Sequence, residues 1–199
     1  MAYPTVSGPY GLKPVNLIGG QVFAGATRQI PIASAYGTNL LNGDLVKIVA
    51  SGTLEKDAGT TTATPVGVFL GCRYTDPNLG YELYSQYFPA NTVASDIVAY
   101  VADDPDQLYK VAVVSGTVVI AGVGRTVVGN NMSLVQNAGS TQSGNSKVAV
   151  LSSSAATTNT LPIRVIDVVT ETASAADTYV ELIVKFNWGM HQYQNATGV

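Results

Sequence analysis

Charge is scarce in this chain of 199 residues. Ten Lys and Arg and thirteen Asp and Glu make up 12% of it, about half the usual share. Hydrophobic residues make up 46%. A disordered chain pairs low hydrophobicity with many charges, so global disorder is excluded. The ten cations are scattered from Lys13 to Lys185 without a basic run, and the electrostatic footprint of a nucleic-acid binder is missing. A net charge of −3 does not point to an anionic membrane surface either. The one cysteine, Cys72, allows no intrachain disulfide. Beside Leu70 and Gly71 it reads as a buried strand thiol. No apolar run reaches the ~18 residues of a membrane span. The opening MAYPTVSGPYG has neither the basic nor the apolar region of a signal peptide. The chain is expected to be made in a cytoplasm and to reach any other location by assembly.

Histidine is equally scarce. His191, eight residues from the C-terminus, is the single one. A nucleophile needs a base, and a terminal tail is a poor mount for a group that must be held rigidly. One His and one Cys do not make an ordinary zinc site. Asp103, Asp104 and Asp106 surround Pro105 and offer oxygens to a hard cation. The glycine and terminal Glu of a calcium loop are absent, however. The turn reads instead as one in which Asp caps backbone N–H groups. Paired carboxylates for glycoside hydrolysis can come from anywhere in a chain, and nothing in the pattern favours them. Gly122-Val123-Gly124 is no phosphate loop, and Asn195-Ala196-Thr197 fits a glycosylation acceptor only formally. No catalytic residue, cofactor or metal is expected, and an enzyme is not.

What the chain does have is β pattern. Residues 1–39 carry Pro4, Pro9, Pro14 and several glycines among apolar and aromatic residues. Pro and Gly forbid a long helix there. The apolar content predicts an extended N-terminal arm that docks, either on the protein's own core or on a neighbour. Residues 40–186 read as a β-rich body, as one unit or two small subdomains. Asn42-Gly43-Asp44 is a turn before Leu45–Val49. Pro65 opens the β-branched and aromatic run to Tyr74, and a hairpin across the polar loop 58–64 is the simplest arrangement. Tyr81, Tyr84, Tyr87 and Phe88 have a spacing that also suits a helical turn. Further strands follow near 97–101 and 107–113, and two strong ones near 161–169 and 179–186. In the last of these, Glu181 and Lys185 share a face if the strand is regular. Residues 136–147 and 152–160 are polar loops. Residues 187–199 form a short C-terminal tail. Some ten short strands with Gly, Ser and Thr loops predict a mainly β barrel or sandwich.

Several segments carry a resemblance in order along nearly the whole chain. They are Gly11-Leu12-Lys13-Pro14-Val15 with the pair Gly19-Gly20, Asn42-Gly43-Asp44-Leu45-Val46-Lys47, and Pro65-Val66-Gly67-Val68-Phe69-Leu70-Gly71. Asp103-Asp104-Pro105-Asp106-Gln107-Leu108-Tyr109, the loop at 139–141, Leu161-Pro162-Ile163-Arg164-Val165 and His191-Gln192-Tyr193 follow. The series resembles tailed-phage virion proteins, especially those of phages infecting cyanobacteria and other marine bacteria. Their members look like capsid decoration, or cement, proteins. The resemblance implies a structural protein on the capsid exterior whose partners are the major capsid protein and copies of itself. Three-fold sites on hexameric shells make a trimer attractive, and a monomer or dimer serves equally well. A surface poor in Lys and Glu fits, because both are depleted at interface cores. The expected contacts are Tyr3, Tyr10, Leu12, Val15 and Phe23 of the arm, Tyr84 and Tyr87 of the body, and Trp188, His191 and Tyr193 of the tail. Rival readings are a head-fibre, neck or tail component of the virion, a polysaccharide depolymerase, and a carbohydrate-binding β module using the tyrosines at 81, 84 and 87.

Overall fold

A computed structural model describes residues 6–173 and 177–199. The chain is mainly β, and its strands form two curled sheets, each with its own core. The strands are β1 (Lys13–Leu17), β2 (Arg28–Pro31), β3 (Leu45–Ile48), β4 (Leu54–Lys56), β5 (Gly67–Thr75), β6 (Glu82–Ser85), β7 (Val98–Ala102), β8 (Gln107–Val114), β9 (Asn131–Met132), β10 (Leu134–Val135), β11 (Ala149–Leu151), β12 (Ile163–Val168) and β13 (Glu181–Phe186).

The first sheet runs β10-β11-β8-β13-β12-β9. Its two ends belong to one short stretch of chain, because β9 and β10 are separated only by Ser133. Residues 131–135 thus pair with β12 on one side and β11 on the other, and the sheet closes nearly into a barrel. Inside stand Tyr109, Val111, Val113, Leu182, Val184, Phe186, Ile163 and Val165, all buried. β13 alternates as a one-sided strand should, with Leu182, Val184 and Phe186 inward and Glu181, Ile183 and Lys185 on the other face. Tyr109 donates its hydroxyl to the Ala102 carbonyl at 2.9 Å. Its ring lies 5.2 Å from that of Phe186, so the largest interior side chain is both packed and satisfied.

The second sheet runs β2-β7-β5-β3-β4, with β6 added on β5. Its strands are read differently. Neighbouring residues of β3, β5 and β7 go to opposite cores: Leu45, Val68 and Ala102 to the first, Val46, Phe69 and Val101 to the second. A strand buried on both faces shows as a continuous apolar run rather than an alternation. Beyond β2, Ile32 makes a parallel bridge to Leu54 of β4, which brings the outer edges of this sheet together.

Two expectations are corrected. β5 does not form a hairpin with β4 across the polar loop. It pairs with β3, Leu45 opposite Val68, because that register gives the apolar pairs two cores to fill. The Asp57 carboxylate pins the loop by accepting from Gly59 N and Thr64 N, each at 2.9 Å. The helical turn at the tyrosines is a strand, β6, whose register with β5 is Arg73 opposite Tyr84. Within the N-terminal segment, the described residues 6–39 lie along the protein's own sheets. β1 pairs with β8 and β2 with β7, so the segment supplies a strand to each sheet. Leu12 is fully buried in the first core. Gly11, at φ +81°, crosses Gly43 so closely that a Cβ on it would stand 2.8 Å from the Gly43 carbonyl oxygen. The physical reason is the one that favoured docking at all: its apolar side chains gain more by burial than by staying in water.

Candidate interaction surface

The expected contact residues fall in several separate places. Tyr3 lies outside the described residues. Tyr10 is half-buried on the outer face of the barrel, where its hydroxyl donates to the Glu181 carboxylate. Lys110 reaches the same carboxylate at 3.4 Å and stands 5.8 Å from the Tyr10 ring centre. Burial, reinforced by the Glu181 charge, pushes the Tyr10 phenol above its ordinary pKa. The chain before β1 therefore roofs a carboxylate that would otherwise face water. Val15 and Phe23 are half-buried, with Phe23 packed against the first core. Leu12 has no surface to offer, which removes it from the candidate contacts.

The tail folds back between the two sheets. Gln192 places its carboxamide against β3 as a strand would, accepting from Ile48 N at 2.9 Å and donating to Ile48 O at 2.8 Å. Its main-chain N donates to Pro65 O at 2.9 Å. His191 is fully buried, with Phe186 and Tyr193 rings 5.9 and 5.2 Å away. Its Nδ1 accepts from Tyr193 N at 3.2 Å, so the neutral ring carries its hydrogen on Nε2. Burial lowers the His191 pKa, partly opposed by the nearby Asp103 and Val66 carbonyls and the charges of Asp103 and Asp104. His191 is thereby withdrawn from the candidate contacts: it is a wedge inside the fold. Tyr193 donates to Asp103 at 2.8 Å, and Arg28 pairs with the same carboxylate at 2.7 Å while lying over the Tyr193 ring. Burial, then the Asp103 bond, raises the Tyr193 phenol to about 12.

The acidic turn caps backbone as expected, Asp104 accepting from Asp106 N at 2.8 Å, while Asp106 holds Lys185 at 3.1 Å. Among the described residues no three His, Cys, Asp or Glu side chains gather to hold a metal ion. Cys72 is buried, and burial pushes its thiol up to about 12.

Exposed apolar side chains stand in several places: Ile18 and Val22 near the start of β8, Trp188 past β13, and Val93, Val118 and Val119 elsewhere. β1 turns at Gly19-Gly20 and returns through Val22, which bridges Asn16. Leu17 stands opposite Gln107, Ile18 N donates to Asp106 O at 3.0 Å, and Lys185 reaches the Asp106 side chain. The hairpin tip and the end of β13 thus flank Asp106. Just past that end stands Trp188, 75% exposed. Its mount is rigid. The buried Asn187 donates its side chain to Asn159 O at 2.9 Å and Leu161 O at 3.1 Å, and its main chain to Pro162 O at 2.8 Å. Ile18 and Val22 are exposed on the Gly19-Gly20 hairpin. Sequence reasoning passed over this pair as contacts; the signal was the Gly19-Gly20 turn flanked by apolar residues. A second exposed group lies on β6 and its hairpin, where Leu79, Tyr81 and Tyr84 face solvent and Tyr87 is half-buried. No family model, no curated protein and no solved structure matches the chain.

Proposed function

We propose that this protein is a structural component of a virion that decorates the capsid shell by binding the major capsid protein. The capsid as partner comes from the ordered sequence resemblance. The observation that carries a binding role is Trp188: a large apolar side chain held out into water by a fully hydrogen-bonded neighbour, on a surface with little charge. Exposed aromatic anchors of this kind dominate interface energetics. Ile18, Val22 and Trp188 are the attachment residues, and many copies on one shell multiply a modest contact.

The test is co-sedimentation of the purified protein with empty shells of the major capsid protein, before and after expansion. Saturable binding at a fixed ratio is expected. Trp188→Ala and Ile18→Asp should each weaken it by about 2 kcal/mol with unchanged thermal unfolding. Absence of binding to either shell would overturn the reading and favour a neck, tail or head-fibre role. Binding that ignores both substitutions would move the attachment surface elsewhere.

A further inference from the structure

Most sheet edges in this protein are covered. The barrel closes through Ser133, and β2 ends in Pro31 before the bridge from Ile32 to Leu54. β6 is different. Among the described residues it pairs with β5 alone. Thr75 N, on β5, donates to the Asp96 carboxylate on the β7 side. Main-chain polar groups alternate in direction along an antiparallel strand. Cys72 and Tyr74 therefore bond toward β6, and Arg73 and Thr75 bond away from it. Their partners opposite, Tyr84 and Glu82, in turn point their N–H and C=O groups outward. Among the described residues no hydrogen bond reaches those four groups. Natural proteins blunt such an edge with Lys, Pro or a bulge. The stretch Glu82-Leu83-Tyr84-Ser85-Gln86-Tyr87 has no Lys and no Pro, and Tyr84 is 67% exposed.

We infer that β6 is the self-association edge of this protein, pairing antiparallel with β6 of a second copy about a two-fold axis at Leu83. The occupant follows from the pattern of the edge itself. The outward groups belong to Glu82 and Tyr84, so a two-fold at Leu83 sets Glu82 of one copy opposite Tyr84 of the other and uses all four outward groups of each strand. Leu83 meets Leu83 on the face of the second core, against which it already packs. The one charge on the strand, Glu82, is held by Arg73 at 2.6 Å within its own sheet. The pairing therefore opposes no bare like charges, and it lays Tyr84 of one copy beside the Glu82–Arg73 pair of the other. A heterologous strand would need its own matching register, whereas this strand matches itself. The inference holds whether or not the chain binds a capsid.

Sedimentation velocity over a wide concentration range tests it. A reversible species at twice the 20.7 kDa chain mass is expected. Tyr84→Pro removes an outward N–H that the β5 ladder does not use, so the chain should still fold while dimerisation weakens roughly ten-fold or more. Trp188→Ala, at the barrel end, should leave the dimer intact. Leu83→Cys provides a second reading that leaves the β6 backbone untouched: under mild oxidation it should give a disulfide-linked dimer, since the two copies of residue 83 are non-hydrogen-bonded neighbours. A monomer at all concentrations, a trimer, a dimer indifferent to Tyr84→Pro in a folded variant, or failure of Leu83→Cys to cross-link would each overturn the inference.

Discussion

The two ends of the chain begin alike in sequence, as short apolar segments flanking a β body, and end differently in the fold. The N-terminal segment is held by backbone: β1 and β2 join ladders, and Leu12 fills the first core. The C-terminal tail is held by side chains, with Gln192 standing in for a strand and His191 wedged under it. Ladder pairing plus core burial ties a segment to global stability. A few side-chain bonds tie it only to local opening. The N-terminal segment should thus unfold with the body, and the tail should be able to leave it.

The largest expected effect comes from deleting residues 2–25. Removing β1 and Leu12 should abolish the cooperative thermal transition, and a stable truncated body would break the comparison. Leu12→Ala alone should cost about 2–5 kcal/mol by leaving a cavity in the first core, measured by denaturant unfolding. Next is Gly11→Ala, where a Cβ meets the Gly43 carbonyl at 2.8 Å and φ is +81°. Strain and overpacking together should cost about 2 kcal/mol.

The tail should respond to acid. The folded pKa of His191 lies below its unfolded value of 6.5, so the unfolded state binds more protons and stability rises with pH. The contribution is whole above pH 6.5 and is lost as pH falls from there toward the folded pKa. A melting temperature that declines below pH 6.5, with a flatter profile in His191→Gln, checks this; identical profiles would sink it. Gln192→Ala should cost about 1–2 kcal/mol and speed amide exchange at Ile48 while the barrel amides stay protected. The smallest effect should be at Arg125, whose ion pair with Asp167 is more than half exposed on both sides. Arg125→Ala should change stability by less than about 0.5 kcal/mol.

Much of this was legible in the sequence. The two final strands announced themselves by β-branched residues and partial alternation, and they pair antiparallel as β12 and β13. The Asp103–Asp106 turn capped backbone as its residue types required. Other features were hidden for physical reasons. Leu45-Val46 and Val68-Phe69 look alike whether a strand serves one core or two, so the β3–β5 pairing was invisible. The tyrosines of β6 have a spacing compatible with helix or strand, and only the partner strand decides between them. Leu12 and His191 read as contacts because burial depends on what arrives from far along the chain: Gly43 for the one, Val66 and Asp103 for the other.

Composition and pattern by themselves determined that the chain folds, that it folds as β, and where its turns lie, since those follow from local conformational preference and the amount of apolar surface to bury. Tertiary structure alone decided that the N-terminal segment belongs to both sheets, that the single histidine lies inside, that Trp188 stands out in water and that β6 keeps an open edge. Each of these depends on which distant segments meet, and pairings across the chain are set by the sum of core packing and ladder register rather than by any one residue's own preference.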